Sequence, residues 1–203
     1  MEHYTVFPDK NIADAGPVCR TFLGLGITRF HEACRHVHEL PYGYNTDRDK
    51  PMILFEEGMG SCTTKHAVIA TLAAELGLGV EKNIGIYAMT EALVTGTENI
   101  LDRFGLPYIP MVHCFLVHQD HRVDLSEGNR NGKNGPIDHF LHTEKVAANI
   151  TAKDEYRLYR MALTERILRR KELDGVDTKT ILKAREEGIL LLRSKIRSHG
   201  GIQ

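Results

Sequence analysis

The stretch GSCTTKHAVIATLAAELG, at residues 60–77, decides how the rest of the chain is interpreted. Residues 67–74 are apolar almost all the way round a helix, and a helix without a polar face is a buried one. Ser61 can cap the helix through its hydroxyl, and Gly77 stands where a left-handed C-terminal cap is favoured. The stretch therefore predicts a buried central helix that begins close to Cys62.

Cys62 lies at the N-terminal end of this predicted helix. Unpaired N–H groups and the positive end of the helix dipole stabilise a thiolate there, and the thiolate is the nucleophilic form of cysteine. A free cysteine is more often a small buried residue that only packs. The helix start and a set of partners further along the chain favour a nucleophile at Cys62.

Composition narrows the class of protein. The chain has 203 residues with 26 basic and 27 acidic side chains and a pI near 6.8, as expected for one domain or one domain with an added helical piece. This balance gives no reason to expect nucleic acid or an anionic membrane as a partner. No apolar run is long enough to span a bilayer, and the N-terminus lacks a signal-peptide pattern. Four widely spaced cysteines predict a reduced, cytoplasmic protein without a disulfide scaffold or zinc ribbon.

Local patterns predict the elements around the central helix. Residues 1–16 are predicted to be a polar arm, and residues 17–40 show helical spacing of apolar side chains on either side of Gly26. Alternation and β-favouring residues predict a strand at residues 83–89, and a short helix is predicted near residues 97–104.

Residues 109–126 predict a β-hairpin, because two apolar runs flank a polar turn at residues 119–120. With this turn, Asp124 reaches the face of the hairpin that carries His113. Diagonal neighbours on a sheet lie about 7–8 Å apart, within reach of a hydrogen bond between an imidazole and a carboxylate. The spacing is compatible with a histidine base that is oriented by an aspartate.

The remainder of the chain carries no enzymatic signature. Residues 128–136 form a loop rich in Gly and Asn that is long enough to border a site, and residues 152–173 predict one helix. Its inward stripe is predicted to hold Tyr156, Tyr159, Leu163 and Ile167, and Asp177 can cap the helix that follows. We expect a catalytic core with N-terminal helices at residues 1–150 and a helical extension at residues 151–203 that packs on it. The extension is either a lid or an association surface for oligomers.

The order of these features resembles a known family. A Gly-x-Cys at the head of a central helix that ends in Leu-Gly, followed by a strand histidine and an aspartate on the next strand, is similar to the transglutaminase-like branch of the papain-like cysteine enzymes. The stretch Pro-Tyr-Gly at residues 41–43 also resembles the core of that family, and the resemblance covers about residues 40–126. It implies an α+β fold in which a buried central helix packs on a small antiparallel sheet, flanked by N- and C-terminal helices.

The resemblance also implies a reaction. Cys62 and His113 would form a thiolate–imidazolium pair, with Asp124 orienting the ring, and the acyl group of an amide or ester would pass through a thioester to water or an amine. The substrate would be a small molecule, a peptide or a protein, and no cofactor is needed. One oxyanion donor would be the backbone N–H of Cys62, and the candidates for a second are Tyr42, Tyr44 and Asn45.

Two alternatives stay open. The first is a catalytically silent binding module, because some members of the family have lost catalysis and serve only to bind. This chain also departs from the family at Phe115, where a Trp two residues after the histidine is frequent. The second alternative is zinc, because thiolate and imidazole suit that metal. Its candidate ligands are His113, Cys114, His118 and His121. Strand alternation places Cys114 and His118 on the face opposite His113. His118 and His121 face each other across the hairpin, so a third ligand beside these two would have to come from elsewhere.

Overall fold

The computed structural model describes residues 3–199, with side-chain burial over residues 4–196. Seven α-helices and a small four-stranded antiparallel sheet in this part of the chain make an α+β fold, which confirms the expected fold class at that level. The helices are α1 (Pro17–Gly24), α2 (Phe30–Glu39), α3 (Ile53–Glu57), α4 (Cys62–Glu75), α5 (Glu98–Phe104), α6 (Ala152–Ala162) and α7 (Thr178–His199). The strands are β1 (Val80–Met89), β2 (Ile109–His118), β3 (His121–Val123) and β4 (His142–Lys145), in the order β3-β2-β1-β4.

Two compact units make up the described chain, each from segments that are distant in sequence. The first unit holds residues 3–84, 114–129 and 145–151. The second holds residues 85–113, 130–144 and 152–199, so α6 and α7 group with α5. The division into a catalytic core and a C-terminal extension at residue 150 stays a prediction.

Helix α4 forms the centre of the first unit, as the sequence predicts. Residues 62–70 are all buried, and α1, α2 and α3 pack against the helix. Gly77 follows with a φ of 67°, and the N–H groups of Gly77 and Leu78 return to carbonyls of the last turn at 3.1 and 2.7 Å. This Schellman ending confirms the predicted glycine cap. The predicted hydroxyl cap is wrong, since Ser61 occupies the N-cap position but its side chain makes no capping hydrogen bond.

Residues 3–16 pack into the first unit, so the predicted polar arm is wrong. Three apolar side chains of this segment are at most 6% exposed and join the core around α4, namely Tyr4, Phe7 and Ile12. Positions 4, 7 and 12 have the i, i+3, i+8 spacing of one helical face, but only Tyr4 lies in a helical element, the short 3-10 helix His3–Val6. Their burial therefore comes from tertiary contacts that a local pattern does not show.

The predicted elements between residues 17 and 123 are confirmed. Helices α1 and α2 are separated by a turn in which Gly26 has a φ of 76°, and β1 and α5 lie where the sequence predicts a strand and a short helix. The hairpin of β2 and β3 also has its predicted register. His118 stands opposite His121, and Gln119 makes the tight turn with a φ of 52°.

The second unit differs from prediction along its first C-terminal helix. Helix α6 ends at Ala162 and passes into a π turn at Leu163–Ile167, whereas one regular helix was expected to residue 173. Tyr156 is 44% exposed, so it does not belong to the buried stripe that holds Tyr159, Leu163 and Ile167. The predicted cap of α7 is confirmed, because Asp177 Oδ1 accepts the N–H of Thr180 at 2.9 Å.

Candidate active site at the start of helix α4

Cys62 is the first residue of α4 and belongs to the first unit. Its side chain is 9% exposed, so the thiol lies at the margin of the buried core. The hydroxyl of Tyr42 lies beside the backbone N–H and the sulfur of Cys62, and both affect its pKa. Burial and the adjacent Cys62 sulfur raise the pKa of Tyr42 well above its usual value, so this hydroxyl keeps its proton.

The loop at residues 41–45 is held beside the start of α4 by backbone pairing. Tyr42 and Gly60 form an isolated parallel bridge, with hydrogen bonds of 3.1 and 3.2 Å on either side of it. A Cβ at Gly60 would clash with the side chains of Leu54 and Thr64, so a larger residue would displace these two side chains. The absence of a side chain at Gly60 leaves room for Leu54 and for the Thr64 hydroxyl that donates to Asn45.

Asn45 fixes the end of the same loop. Its amide nitrogen donates to the Glu57 carboxylate at 2.8 Å and to the Met59 carbonyl at 2.9 Å, and its amide oxygen accepts from Thr64 Oγ1 at 2.7 Å. Both amide hydrogens are therefore engaged, and Asn45 acts in this structure as a tether. Tyr44, another predicted oxyanion donor, lies on the loop with 40% of its surface exposed.

Asp124 belongs to the first unit and follows β3, which ends at Val123. The prediction that the second strand of the hairpin includes Asp124 and extends to residue 126 is therefore wrong. Its Oδ1 accepts from the backbone N–H of Ser126 at 2.8 Å and from the Ser126 hydroxyl at 2.6 Å. These two bonds form a local turn that fixes the orientation of the carboxylate. The same oxygen lies 3.4 Å from Nε2 of His66, a fully buried residue one helical turn after Cys62.

Two histidines form hydrogen bonds with the backbone of Leu125. Its N–H donates to His66 Nε2 at 2.8 Å, and its carbonyl accepts from His38 Nδ1 at 3.0 Å. Because Nε2 of His66 is an acceptor in this bond, the proton of the neutral ring is on Nδ1, and the contact with Asp124 is not an ion pair. The two bonds tie the segment after β3 to α2 and α4, and they thereby position Asp124.

Lys65 is a second buried polar residue near the start of α4. Its side chain is 0% exposed, and Nζ donates to the carbonyls of His38, at 3.0 Å, and Leu40. The amide nitrogen of Asn129 donates to the same two carbonyls. Burial lowers the pKa of Lys65 from 10.5 to about 7, against the opposing attraction of Asp124.

Sequence reasoning missed both Lys65 and His66 as parts of the site. The sequence did contain an indication, because Lys65 and His66 stand at the start of a helix that is predicted to be buried. A polar side chain in such a helix needs a hydrogen-bond partner inside the protein. Their partners are backbone groups of residues distant in the chain, which no spacing rule identifies.

His113, the predicted base, lies on β2 in the second unit and is 2% exposed. Its ring packs edge-on against Tyr87, with the ring centroids 6.3 Å apart at 90°. The next residue, Cys114, belongs to the first unit, where its sulfur lies 3.6 Å from Oγ1 of Thr63. Cys62 and Thr63 therefore belong to the first unit, and His113 belongs to the second. A triad of Cys62, His113 and Asp124 stays a prediction.

The residues of the zinc alternative have other contacts. No group of three His, Cys, Asp or Glu side chains is arranged to hold a metal ion anywhere in residues 3–199. Cys114 lies against Thr63, Nδ1 of His118 is 2.8 Å from the carbonyl of Gly79, and His121 is exposed. None of the four cysteines, all within the described residues, is in a disulfide.

Comparisons of the chain with protein families, with curated proteins and with solved structures found no match. Among the helices of residues 3–199, none has the length and apolar character that crossing a membrane requires. The transglutaminase-like relationship therefore depends on the quoted motifs alone and stays a prediction.

Proposed function

We propose that the chain is a cysteine-dependent acyl-transfer enzyme of the transglutaminase-like kind. One observation carries the proposal: Cys62 begins a buried helix, and the Tyr42 hydroxyl lies beside its N–H and its sulfur. A helix start favours the thiolate, which is the form that attacks carbonyl carbon. A cysteine that only fills core volume needs neither feature.

The proposed reaction has two steps. The Cys62 thiolate attacks the carbonyl carbon of an amide or ester, so that an S–C bond forms and the carbonyl π electrons move to oxygen. The oxyanion collapses and expels an amine or alcohol, which takes a proton from the His113 imidazolium. Water or an amine then attacks the thioester and gives its proton to His113, and Cys62 leaves as the thiolate. Asp124, oriented by Ser126, is the group we assign to hold the imidazole.

Tyr42 is the oxyanion donor that the contacts favour among the three candidates. Its hydroxyl lies at the N–H of Cys62, and its raised pKa keeps the proton on oxygen. A substrate oxygen that binds between them would accept from both groups. Pre-positioned donors of this kind typically supply a large share of transition-state stabilisation.

The rate of Cys62 alkylation as a function of pH tests the proposal. Iodoacetamide labelling followed by peptide mapping reports each cysteine separately. We expect a Cys62 inflection well below the roughly 8.5 of a free thiol, and a shift of that inflection in the His113→Ala variant. His121→Ala, an exposed change on the same hairpin, is the matched control and should leave the inflection unchanged.

The other cysteines calibrate the measurement. Burial and a hydrogen bond to Glu75 raise the pKa of Cys19 to about 11, and burial raises that of Cys34 well above its usual value. Both should label slowly throughout the range. If Cys62 labels like these two, or if His113→Ala has no effect on its inflection, the enzyme proposal fails and a binding module takes its place.

A further inference from the structure

Two arginines of the second unit lie beside the same tyrosine. Arg160 belongs to α6 and Arg185 to α7, and both helices are in that unit. Nη1 of Arg160 lies 3.5 Å from the hydroxyl of Tyr156, and Cζ of Arg185 lies over the ring of Tyr156, 5.9 Å from its centroid. Tyr156 is 44% exposed and both arginines are half-buried, so the cluster reaches the surface.

A second tyrosine helps to hold the Arg185 guanidinium in place. Tyr159 is 1% exposed, and its hydroxyl donates to the Pro110 carbonyl at 3.1 Å, which fixes the ring. Cζ of Arg185 lies 4.7 Å from the centroid of this ring, within the range of a cation–π contact. Burial raises the pKa of Tyr159, and the charges of Arg185 and Arg160 oppose that rise, so both cations lie near one hydroxyl. The cluster is therefore formed before any ligand binds, which lowers the entropic cost of binding.

The two positive charges have no carboxylate as a partner in the described part of the chain. None of the Asp or Glu side chains there forms an ion pair with Arg160 or Arg185, and this includes Glu155, the buried acid of α6. Glu187, two residues after Arg185, pairs with Arg103 at 2.6 Å. Two guanidinium groups beside one tyrosine repel each other, and an anion between them would remove that repulsion.

Both guanidinium groups keep donors for a ligand. Nε of each arginine is buried without a hydrogen-bond partner among the described residues. Nη2 of Arg160 and both Nη atoms of Arg185 are neither hydrogen-bonded to those residues nor among the buried atoms, so they are open to solvent. A guanidinium presents its donors in a planar fork that matches the oxygens of an oxyanion in pairs.

We propose that Arg160 and Arg185, together with the Tyr156 hydroxyl, bind the phosphate group of a small-molecule ligand. A phosphate dianion balances both guanidinium charges, whereas a carboxylate balances only one. The formal net charge of the chain is −1, so no extended basic field accompanies the cluster, and this favours a small ligand over nucleic acid. Binding at α6 and α7 is independent of any reaction at Cys62.

The experiment compares inorganic phosphate, phenyl phosphate and benzoate as ligands of the full-length protein. NMR follows the arginine Nε–Hε signals during titration at constant ionic strength and about pH 8, where phosphate is mostly a dianion. We expect both phosphates to shift the signals of Arg160 and Arg185, with dissociation constants about tenfold or more below that of benzoate. Tighter binding of phenyl phosphate identifies a phosphate ester as the ligand, and tighter binding of inorganic phosphate identifies the free ion; either result supports the site.

Two matched pairs of variants locate the binding. Arg160→Gln and Arg185→Gln should each weaken phosphate binding about tenfold or more. Arg157→Gln on α6 and Lys183→Gln on α7 remove the same charge at exposed positions and should weaken it less than about twofold. The arginine signals of the wild type test the site even where a variant does not fold. The proposal is overturned if phosphate leaves both arginine signals unshifted, if benzoate binds as tightly as phosphate, or if the control variants weaken binding as much as the site variants.

Discussion

Lys65 allows a quantitative test of how the start of α4 is built. Its ammonium group is buried at 0% exposure, and its pKa falls from 10.5 to about 7 because burial disfavours the charged form. Asp124 opposes this fall without cancelling it. Two carbonyls, of His38 and Leu40, accept from its nitrogen, and a neutral amine has two N–H donors for them.

The sign of the pH effect follows from the two pKa values. In the unfolded chain the lysine stays protonated up to about pH 10.5, whereas folded Lys65 is mostly neutral above about pH 7. Unfolding therefore takes up a proton between these limits, and raising the pH stabilises the folded state. The destabilisation that comes from burying Lys65 is complete below about pH 7 and disappears above about pH 10.5.

The magnitude is large enough to measure. Linkage gives a slope of at most about 1.4 kcal/mol per pH unit, and integration from about pH 7 to about pH 9 gives about 2 kcal/mol. Lys65→Met removes the titrating group and fills a similar volume. Asn129 continues to donate to both carbonyls, so neither is left without a partner.

Urea unfolding followed by circular dichroism at several pH values between these limits measures the effect. We expect the free energy of unfolding of the wild type to rise by about 2 kcal/mol more than that of Lys65→Met over this range. Lys50→Met, at a position whose side chain is 52% exposed, is the matched control and should keep the wild-type pH dependence. Parallel curves for wild type and Lys65→Met would refute the reasoning, since they would show that buried Lys65 keeps its charge.

Two further substitutions test the polar contacts of α4. The Glu75 carboxylate accepts hydrogen bonds from the N–H groups of Val18 and Cys19 at 3.1 and 2.7 Å. Glu75→Ala should therefore lower the free energy of unfolding by about 1–3 kcal/mol. A loss no greater than that of Glu81→Ala, a change at an exposed position, would contradict this role. His66→Leu should lower the free energy of unfolding by about 1–3 kcal/mol in the same assay, because the buried Leu125 N–H loses its acceptor. His66→Gln keeps an acceptor there and should retain most of the stability. Equal losses in both variants would count against the hydrogen bond.

The parts of the fold that could be predicted are those governed by local rules. The nearly continuous apolar stretch at residues 67–74, followed by Leu-Gly at residues 76–77, specifies a buried helix with a left-handed cap, and α4 and Gly77 confirm it. The turn at Gln119 sets the hairpin register because side chains alternate with a period of two. The burial of Tyr4 and Phe7 depends on contacts with distant segments, which a local pattern does not show. The π turn after Ala162 interrupts a stretch whose apolar spacing is helical, so the spacing did not predict it.

For the candidate site, the sequence indicated which residues could be proposed as reactive groups, but it did not indicate which contacts hold them in place. Cys62 and Asp124 could be proposed from residue type and order along the chain. The groups that orient Asp124 are a neighbouring serine and a histidine that bonds a backbone N–H. A backbone donor is present at nearly every residue, so its partner cannot be deduced from spacing.

The four polar residues after Cys62 show why a buried helix begins with so many of them. Thr63 contacts Cys114, Thr64 donates to Asn45, Lys65 bonds the carbonyls at the end of α2, and His66 accepts the N–H of Leu125. Each side chain reaches a different segment of the first unit, and each would be costly to bury without that partner. Apolar residues at these positions would preserve the helix but leave the loop of Tyr42 and the turn of Asp124 without their attachment to it. The sequence CTTKH is therefore best understood as one motif, in which the four residues after the cysteine fix the segments around the start of α4.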